Sequence, residues 1–358
     1  MQLDLDSVTV RYPGPRGTRA AVDGVSLHLG AGQIGVLIGP SGCGKTSLLR
    51  TVAGLERPAR GRVVLDGVAV SDAAQGVHVG AEARRIGMVF QDYALFPHLT
   101  VLDNVMFGLH RLPRAEQKTR AAQMLDLVGL GGAAKRHPHQ LSGGQQQRIA
   151  LARALAPQPR LLLMDEPFSS LDVDLRERLA QEVRAILKQT DTTALFVTHD
   201  QFEAFAVGDV IGVMQQGELL QWDDPYALYH RPATRFVAGF VGHGVFLPGQ
   251  VVAGADGVRV HTALGDWADA VECPLPGAGG VCDVLLRADD IVHDDASPVK
   301  ARIQAKAFRG AEFLYTLALA GGEQVQALVP SHHDHAVGEW IGIRAEPDHV
   351  VTFPRSGG

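Results

Sequence analysis

A chain of 358 residues, 46% hydrophobic and 20% charged, is long enough for two or three domains of roughly 150 residues and too apolar for wholesale disorder. Its 33 lysines and arginines against 39 aspartates and glutamates leave a formal charge of −6, which argues against a protein that coats nucleic acid non-specifically. Three cysteines are too few for a disulfide scaffold, no secretory signal opens the chain, and no apolar run approaches the ~20 residues that span a bilayer, so a soluble protein of a reducing compartment is expected, with at most a peripheral membrane role.

Leu3 to Val10 alternates with period 2 and predicts a strand, as does Val25 to Leu29. Ile34 to Ile38 reads as a strand buried on both faces of a parallel sheet. A glycine-rich turn follows, then a predicted helix over Thr46 to Ala53. Between the β-branched runs of Arg62 to Val70, Asp66-Gly67 marks a two-residue hairpin. From Phe96 to Ala156 the pattern is mostly helical, with Met124, Leu125 and Val128 on one stripe of a helix that begins at Arg114 and stops at the glycines after Val128. Leu161 to Met164 and Ala194 to Val197 return to buried strands around a helix over Leu175 to Leu187. Strands alternating with helices predict an α/β fold with a largely parallel sheet and a helical insert. After Phe240 the chain becomes rich in glycine and valine. Short strands are predicted within Gln250 to Val252, Val258 to His261, Val281 to Arg287, Phe313 to Leu319, Val325 to Val329 and Ile341 to Ala345, which together suggest a small all-β barrel or sandwich.

Gly39-Pro40-Ser41-Gly42-Cys43-Gly44-Lys45-Thr46 fits G-x-x-x-x-G-K-[ST] between a buried strand and a helix, the context that makes the pattern a phosphate site. Glycines let backbone N–H groups approach a triphosphate closely. Lys45 is expected on the β- and γ-phosphates and the Thr46 hydroxyl on Mg²⁺; Ser47 completes the nucleotide-binding stretch, and Cys43 contributes only its backbone. Leu161 to Met164 run into Asp165 and Glu166, a strand end that can supply Asp165 to Mg²⁺ and Glu166 to the attacking water. A second glycine-rich turn, Leu141-Ser142-Gly143-Gly144-Gln145, opens another helix and so offers a second anion site. One chain with one nucleotide does not need two such sites; two chains placed head to tail do.

These residues resemble the ATP-binding-cassette (ABC) family, with Leu141 to Gln145 as its signature. The resemblance implies a P-loop NTPase (RecA-like) core, with an antiparallel β subdomain and a helical subdomain, followed by a small all-β (OB/TOBE-like) domain. The expected boundaries are 1–237 for the nucleotide-binding domain (helical subdomain about 92–156) and 243–358 for the β domain. It further implies that Gln91 is the Q-loop glutamine near Mg²⁺ or water, that Ser169-Ser170-Leu171-Asp172 is the D-loop crossing the dimer interface, that His199 is the switch histidine at the γ-phosphate, and that Tyr12 stacks on adenine.

The absence of fused membrane helices argues against an exporter, and the absence of a long coiled-coil insertion and of a second cassette argues against a soluble ATPase acting on ribosomes or DNA. Asp92 to Val101 resembles the segment after the Q-loop in bacterial importers, where Leu95, Phe96 and Leu99 would help receive a helix of the membrane subunit. Pro225, Leu228, Tyr229, Pro232, Phe236, Val237 and Phe240 resemble the importers' linker to the β domain. The resemblance thus implies an ATPase homodimer using ATP and Mg²⁺, bound to integral membrane permease subunits on the cytoplasmic face of a bacterial inner membrane. A periplasmic or extracellular solute-binding protein would act indirectly and nucleic acid not at all. Gly242 to Gly249 and the ending Thr352-Phe353-Pro354 look most like the ferric-iron importers, with polyamine, sulfate, sugar and quaternary-amine importers as alternatives; Arg287-Ala288-Asp289 departs from the Arg-Pro-Glu usual there. His332-His333-Asp334-His335 is expected to be a solvated turn, Cys273 and Cys282 small core residues, and the basic residues from Arg111 to Arg120 a solvated helix face.

Overall fold

The computed structural model describes residues 2–14, 17–169, 171–242, 244–254, 257–268, 280–347 and 349–355. The chain divides into two compact units, Met1–Pro225 and Tyr226–Gly358.

In the first unit, the apolar runs Ile34–Ile38, Leu161–Asp165 and Thr193–Val197 form the middle of a six-stranded sheet among the described residues. Its order is Glu218–Asp223, Val210–Gln215, Ile34–Ile38, Thr193–Val197, Leu161–Asp165 and Ile86–Val89. Every pairing is parallel except that of the edge strand Glu218–Asp223. Ile34–Ile38 and Thr193–Val197 are buried at every position, which is why they read as unbroken apolar runs. A second, antiparallel sheet orders Gly17–Leu29, Leu3–Gly14, Arg60–Leu65, Val68–Asp72 and Val77–His78. Its predicted hairpin turns at Asp66 and Gly67, both at positive φ (48° and 76°) as a type I′ turn requires. The helix Lys45–Ala53 buries Leu48, Leu49 and Val52 in one core with Leu5 and Val8 of the antiparallel sheet and Leu37, Leu163 and Leu195 of the parallel one. Between Ile86–Val89 and Leu161–Asp165 lies the helical insert, with Val101–Met106, Arg114–Leu127 and Gly143–Leu155 as its α-helices.

Arg84 holds this unit at a point that no apolar pattern announces. Its side chain is buried and donates to the carbonyls of Thr51 and Val52 at the end of the helix Lys45–Ala53, to those of Val70 and Val79, and to Ser71 Oγ. Burial pushes its guanidinium down to about 10. The cation joins the Gly54 N–H on the Thr51 carbonyl and caps that of Val52, at the negative end of the helix.

The second unit holds two antiparallel sheets of five strands each among the described residues. One is ordered Gly265–Ala268, Gly257–Thr262, Gly244–Gly254, Val281–Arg287 and Val351–Pro354; the other Ile291–His293, Trp340–Ala345, Lys300–Phe308, Glu312–Leu319 and Gln324–Pro330. Alternate inward residues such as Leu247, Ile303, Tyr315, Leu317, Val325 and Ile341 form its core. The helices Pro225–His230 and Arg235–Phe240 precede these sheets. Arg287 ties them down: its buried guanidinium donates to the carbonyls of Tyr229, Ala238 and Val241 and lies 4.4 Å from the centre of the Tyr229 ring. Tyr229, pushed up to about 12 by burial and by Asp289, donates its hydroxyl to Asp289. The Arg-Ala-Asp departure therefore sits in a closed network. Cys282 is buried as expected and Cys273 lies outside the described residues. The histidine turn is not fully solvated: His332 and Asp334 are exposed, but His333 and His335 are half-buried beside His293.

Replacing Arg84 by methionine would take the donor from the Val52 and Val79 carbonyls and from Ser71 Oγ, while Thr51 and Val70 keep the N–H groups of Gly54 and Val79. It is expected to lower unfolding stability by at least about 2 kcal/mol, read as a lower urea midpoint at unchanged slope.

Candidate functional site

Parallel pairing places the C-terminal ends of four neighbouring strands side by side. Ile34–Ile38 runs into the glycine loop 39–44, Ile86–Val89 into Gln91, Leu161–Asp165 into Glu166, and Thr193–Val197 into His199.

The glycine loop is wedged between backbone segments, and this accounts for its composition. A Cβ on Gly39 would lie 2.2 Å from the Met214 carbonyl oxygen and one on Gly44 only 2.1 Å from that of Ala21. Both residues have positive φ, 151° and 108°. Gly44 is the N-cap of the helix Lys45–Ala53, whose first N–H groups therefore face the loop. Lys45 is buried and folds its ammonium back onto the carbonyls of Gly39 and Pro40, at 2.8 and 3.1 Å. This keeps a cation within the loop that leads into the helix N-terminus, an arrangement suited to a polyphosphate.

Thr46 Oγ1 donates to Asp165 Oδ1 at 3.0 Å. Burial raises the Asp165 pKa, and the neighbouring Glu166 charge adds to the rise against the Thr46 hydrogen bond. A hydroxyl and a partly desolvated carboxylate are hard oxygen donors that fit Mg²⁺ held jointly with substrate phosphates. Glu166 takes a left-handed backbone conformation, φ 44°, rare for a residue with a side chain. The turn is pinned by its own N–H on the Val197 carbonyl and by Ser169 Oγ on its carbonyl. Its Oε2 lies 3.3 Å from Gln91 Nε2 and 3.4 Å from His199 Nδ1. Gln91 Nε2 is also 3.4 Å from Ser169 Oγ.

Behind His199, a polar network that sequence reasoning missed holds the turn. Thr198 Oγ1 donates to the buried Glu203, and Asp200 caps the helix Gln201–Val207. Arg176 lies 3.0 Å from Asp200 Oδ2 and 3.4 Å from Glu203 Oε1, and donates to the Leu171 carbonyl. It thereby joins the segment after Glu166 to the segment after His199.

Tyr12 reaches the same edge: its hydroxyl donates to Glu56, which also pairs with Arg50, and lies 3.1 Å from the Ser47 hydroxyl, from which it accepts. Ser41, Gly42 and Cys43 lie within the loop, and Cys43 Sγ is buried 3.7 Å from Lys45 Nζ. Ser170 lies outside the described residues. Leu171 packs beside Gly143, and Asp172 caps the helix Val173–Gln189 through Leu175 N–H.

Leu141 to Gln145 stand apart. Ser142 caps the helix Gly143–Leu155 in a capping box with Gln145, so both side chains are spent on the turn itself. Among the described residues, no hydrogen bond joins this turn to the glycine loop 39–44, Lys45, Thr46, Asp165 or Glu166. At its other end, the same helix carries Arg153, which donates to the carbonyls of Tyr93 and Ala94 just beyond Gln91 and lies 5.7 Å from the Phe96 ring centre. Buried Asn104 fixes the rest of that segment through Phe96, Leu99 and Thr100. An open groove of about 1180 Å³ borders it, with Phe90, Phe96, Phe107, Leu112 and Arg153 in its wall; of the three predicted apolar residues, Phe96 lines it and Leu95 and Leu99 do not.

The ABC transporter family model matches residues 22–169, and the TOBE domain model residues 284–353. The chain is 47% identical over 354 residues to the Fe(3+) ions import ATP-binding protein of Escherichia coli K12, covering 96% of this chain and 95% of that one. It is 38% identical over 356 residues to the spermidine/putrescine import ATP-binding protein of Pseudomonas fluorescens Pf0-1, covering 96% of each. A solved dimeric structure of a bacterial ABC transporter cassette superposes with a TM-score of 0.54 at 32% identity, over 62% of this chain and 98% of that one.

Gly44→Ala should force the loop away from Ala21. The expected result is a stability loss above about 2 kcal/mol in urea unfolding, with weakened binding of a fluorescent ATP analogue in titration.

Proposed function

The chain belongs to the ABC transporter family, and we propose that it is the ATP-hydrolysing subunit of a bacterial importer, working as a head-to-tail homodimer. The observation that carries the proposal is the division of the site. The glycine loop, Lys45, Asp165, Glu166, Gln91 and His199 gather on one edge, while among the described residues no hydrogen bond joins the second anion-ready turn, Ser142 to Gln145, to that edge. A second copy would supply that turn to the γ-phosphate. The likeness to a cassette solved as a dimer supports this arrangement.

In this reading the backbone N–H groups from Gly39 to Thr46, with Ser47, enclose the phosphates, and Lys45 exchanges its loop carbonyls for β- and γ-phosphate oxygens. Tyr12, tethered at Ser47, offers its ring to the adenine. Thr46, Asp165 and Gln91 would hold Mg²⁺, which neutralises phosphate charge when bound. Glu166 orients the attacking water and receives its proton, steadied by Gln91 Nε2. His199 donates toward the γ-phosphate, and Arg176 keeps that histidine turn in register with Leu171 and Asp172 at the dimer face. Closure is favoured by N–H donors and the positive end of the helix Gly143–Leu155 meeting the partner's γ-phosphate; phosphate release removes that attraction.

The groove beside Phe96 would receive a permease helix, placing the subunit peripherally on the cytoplasmic face of the inner membrane, with a solute-binding protein acting from the other side. Among the described residues no helix is long and apolar enough to cross a membrane. For the solute, ferric iron is proposed over polyamine. Identity is higher to the relative named for Fe(3+) than to the one named for spermidine and putrescine, 47% against 38% at equal coverage of this chain.

Glu166→Gln should retain ATP binding, lose about 10²- to 10⁴-fold in hydrolysis, and elute as a dimer in gel filtration with ATP; a monomer there would count against the sandwich. Lys45→Ala should lose nucleotide affinity in the same titration. Deleting the gene in its host should abolish high-affinity uptake of labelled ferric iron and spare labelled putrescine, and the reverse pattern would reassign the solute.

A further inference from the structure

The β unit carries a histidine cluster that the nucleotide chemistry does not use. His293 ends the strand Ile291–His293, where it pairs with Ile343, and lies close to His333 and His335 of the loop between Gln324–Pro330 and Trp340–Ala345. Ring centres of His293 lie 4.9 Å from His333 and 4.8 Å from His335, and one ligand atom from each of the three falls within 4.8 Å of the others. We propose that His293, His333 and His335 form a binding site for a divalent transition metal of the zinc class, with Asp295 as the fourth ligand.

Four observations carry this assignment. First, Nε2 of both His293 and His335 is buried without a hydrogen bond, a costly state for ring nitrogens unless something else takes their lone pairs. Second, Glu339 Oε1 lies 3.1 Å from His335 Nδ1. A proton on Nδ1 leaves the Nε2 lone pair free, and a carboxylate behind a ligating histidine is the common way of orienting one. Third, Asp295 Oδ1 sits 3.1 Å from His293 Nε2 without hydrogen-bond alignment. Ligands around a tetrahedral ion at ~2.0–2.1 Å stand about 3.3 Å apart, so Asp295 is already at ligand spacing from His293, and shifts of roughly an ångström would bring the three histidine nitrogens onto one ion. Fourth, the loop is built to hold this shape. The buried Tyr315 hydroxyl donates to the His333 carbonyl and accepts from His335 N–H, while Lys306 donates to Asp334 and to the His335 carbonyl. Lys306 is thus engaged by Asp334, and its charge is partly offset near the site.

Three imidazoles and one carboxylate suit zinc, cobalt, nickel or copper in their divalent states. Magnesium and ferric iron call for oxygen ligands, so the site is distinct from both the nucleotide metal and the proposed cargo. Bound metal would clip the strand Ile291–His293 to the loop 331–336.

The test uses the full-length protein, stripped with EDTA, dialysed, and titrated with ZnCl₂ in excess MgCl₂ without nucleotide. One equivalent should bind, and Co²⁺ should give the intense visible bands of a tetrahedral site. His333→Ala/His335→Ala should weaken zinc binding by at least about 100-fold and Glu339→Gln by about 10-fold, whereas His332→Ala should bind normally. In the unaltered protein, NMR signals of His293, His333 and His335 should shift on zinc addition, a readout that needs no substitution. Absence of one-to-one binding, of those shifts, or of any loss in the double variant would overturn the site. None of these readouts involves ATP, so their failure would leave the ATPase proposal standing.

Discussion

Everything at the candidate nucleotide site depends on parallel strand pairing. A parallel sheet aligns strand ends of one polarity along one edge, and here four ends deliver residues separated by up to 160 positions in sequence, from Gly39 to His199. The pairing is enforced by burial: strands apolar on both faces cannot be turned over or left at a wet edge. The core thus arranges the chemistry without contributing a reactive group to it. The wedged glycines make the same point locally, since Gly39 and Gly44 are demanded by the carbonyls of Met214 and Ala21 that crowd the loop.

How much of this was legible in the sequence follows from the same physics. Ile34–Ile38, Leu161–Asp165 and Thr193–Val197 announced themselves because complete burial writes an unbroken apolar run, and the Asp66-Gly67 turn because few residues accept its dihedral angles. Gln91 and His199 are single polar residues, visible only through their order relative to the loop and the strand acids. The strand Lys300–Phe308 escaped notice because only Ala301 and Ile303 along it are buried, too little for an alternation to show. Arg84, Asn104, Arg153 and Arg176 were illegible, since a side chain that satisfies distant carbonyls or carboxylates leaves no periodic trace. The histidine turn misled because its third member, His293, arrives from a strand some 40 residues earlier.

Guanidinium groups hold one element to another at three places in this chain. Arg84 closes the helix after the phosphate loop onto the antiparallel sheet, Arg176 spans the segments after Glu166 and His199, and Arg287 fixes the two helices before the β unit. Five donors on a planar head serve several carbonyls in fixed directions, where a lysine ammonium offers three donors from one point.

Arg153 gives this pattern a mechanical meaning. The helix Gly143–Leu155 is a stiff rod about 20 Å long at 1.5 Å per residue. Its front end offers the turn proposed to meet the other copy's nucleotide, and its rear end grips Tyr93 and Ala94. Any tilt of the rod must drag the main chain beyond Gln91 with it or snap two charge-assisted bonds. The helix is therefore a lever whose two arms are joined by covalent backbone, and the arrival of a second subunit at one arm, as proposed, would be felt as displacement at the other without any intervening loop having to refold.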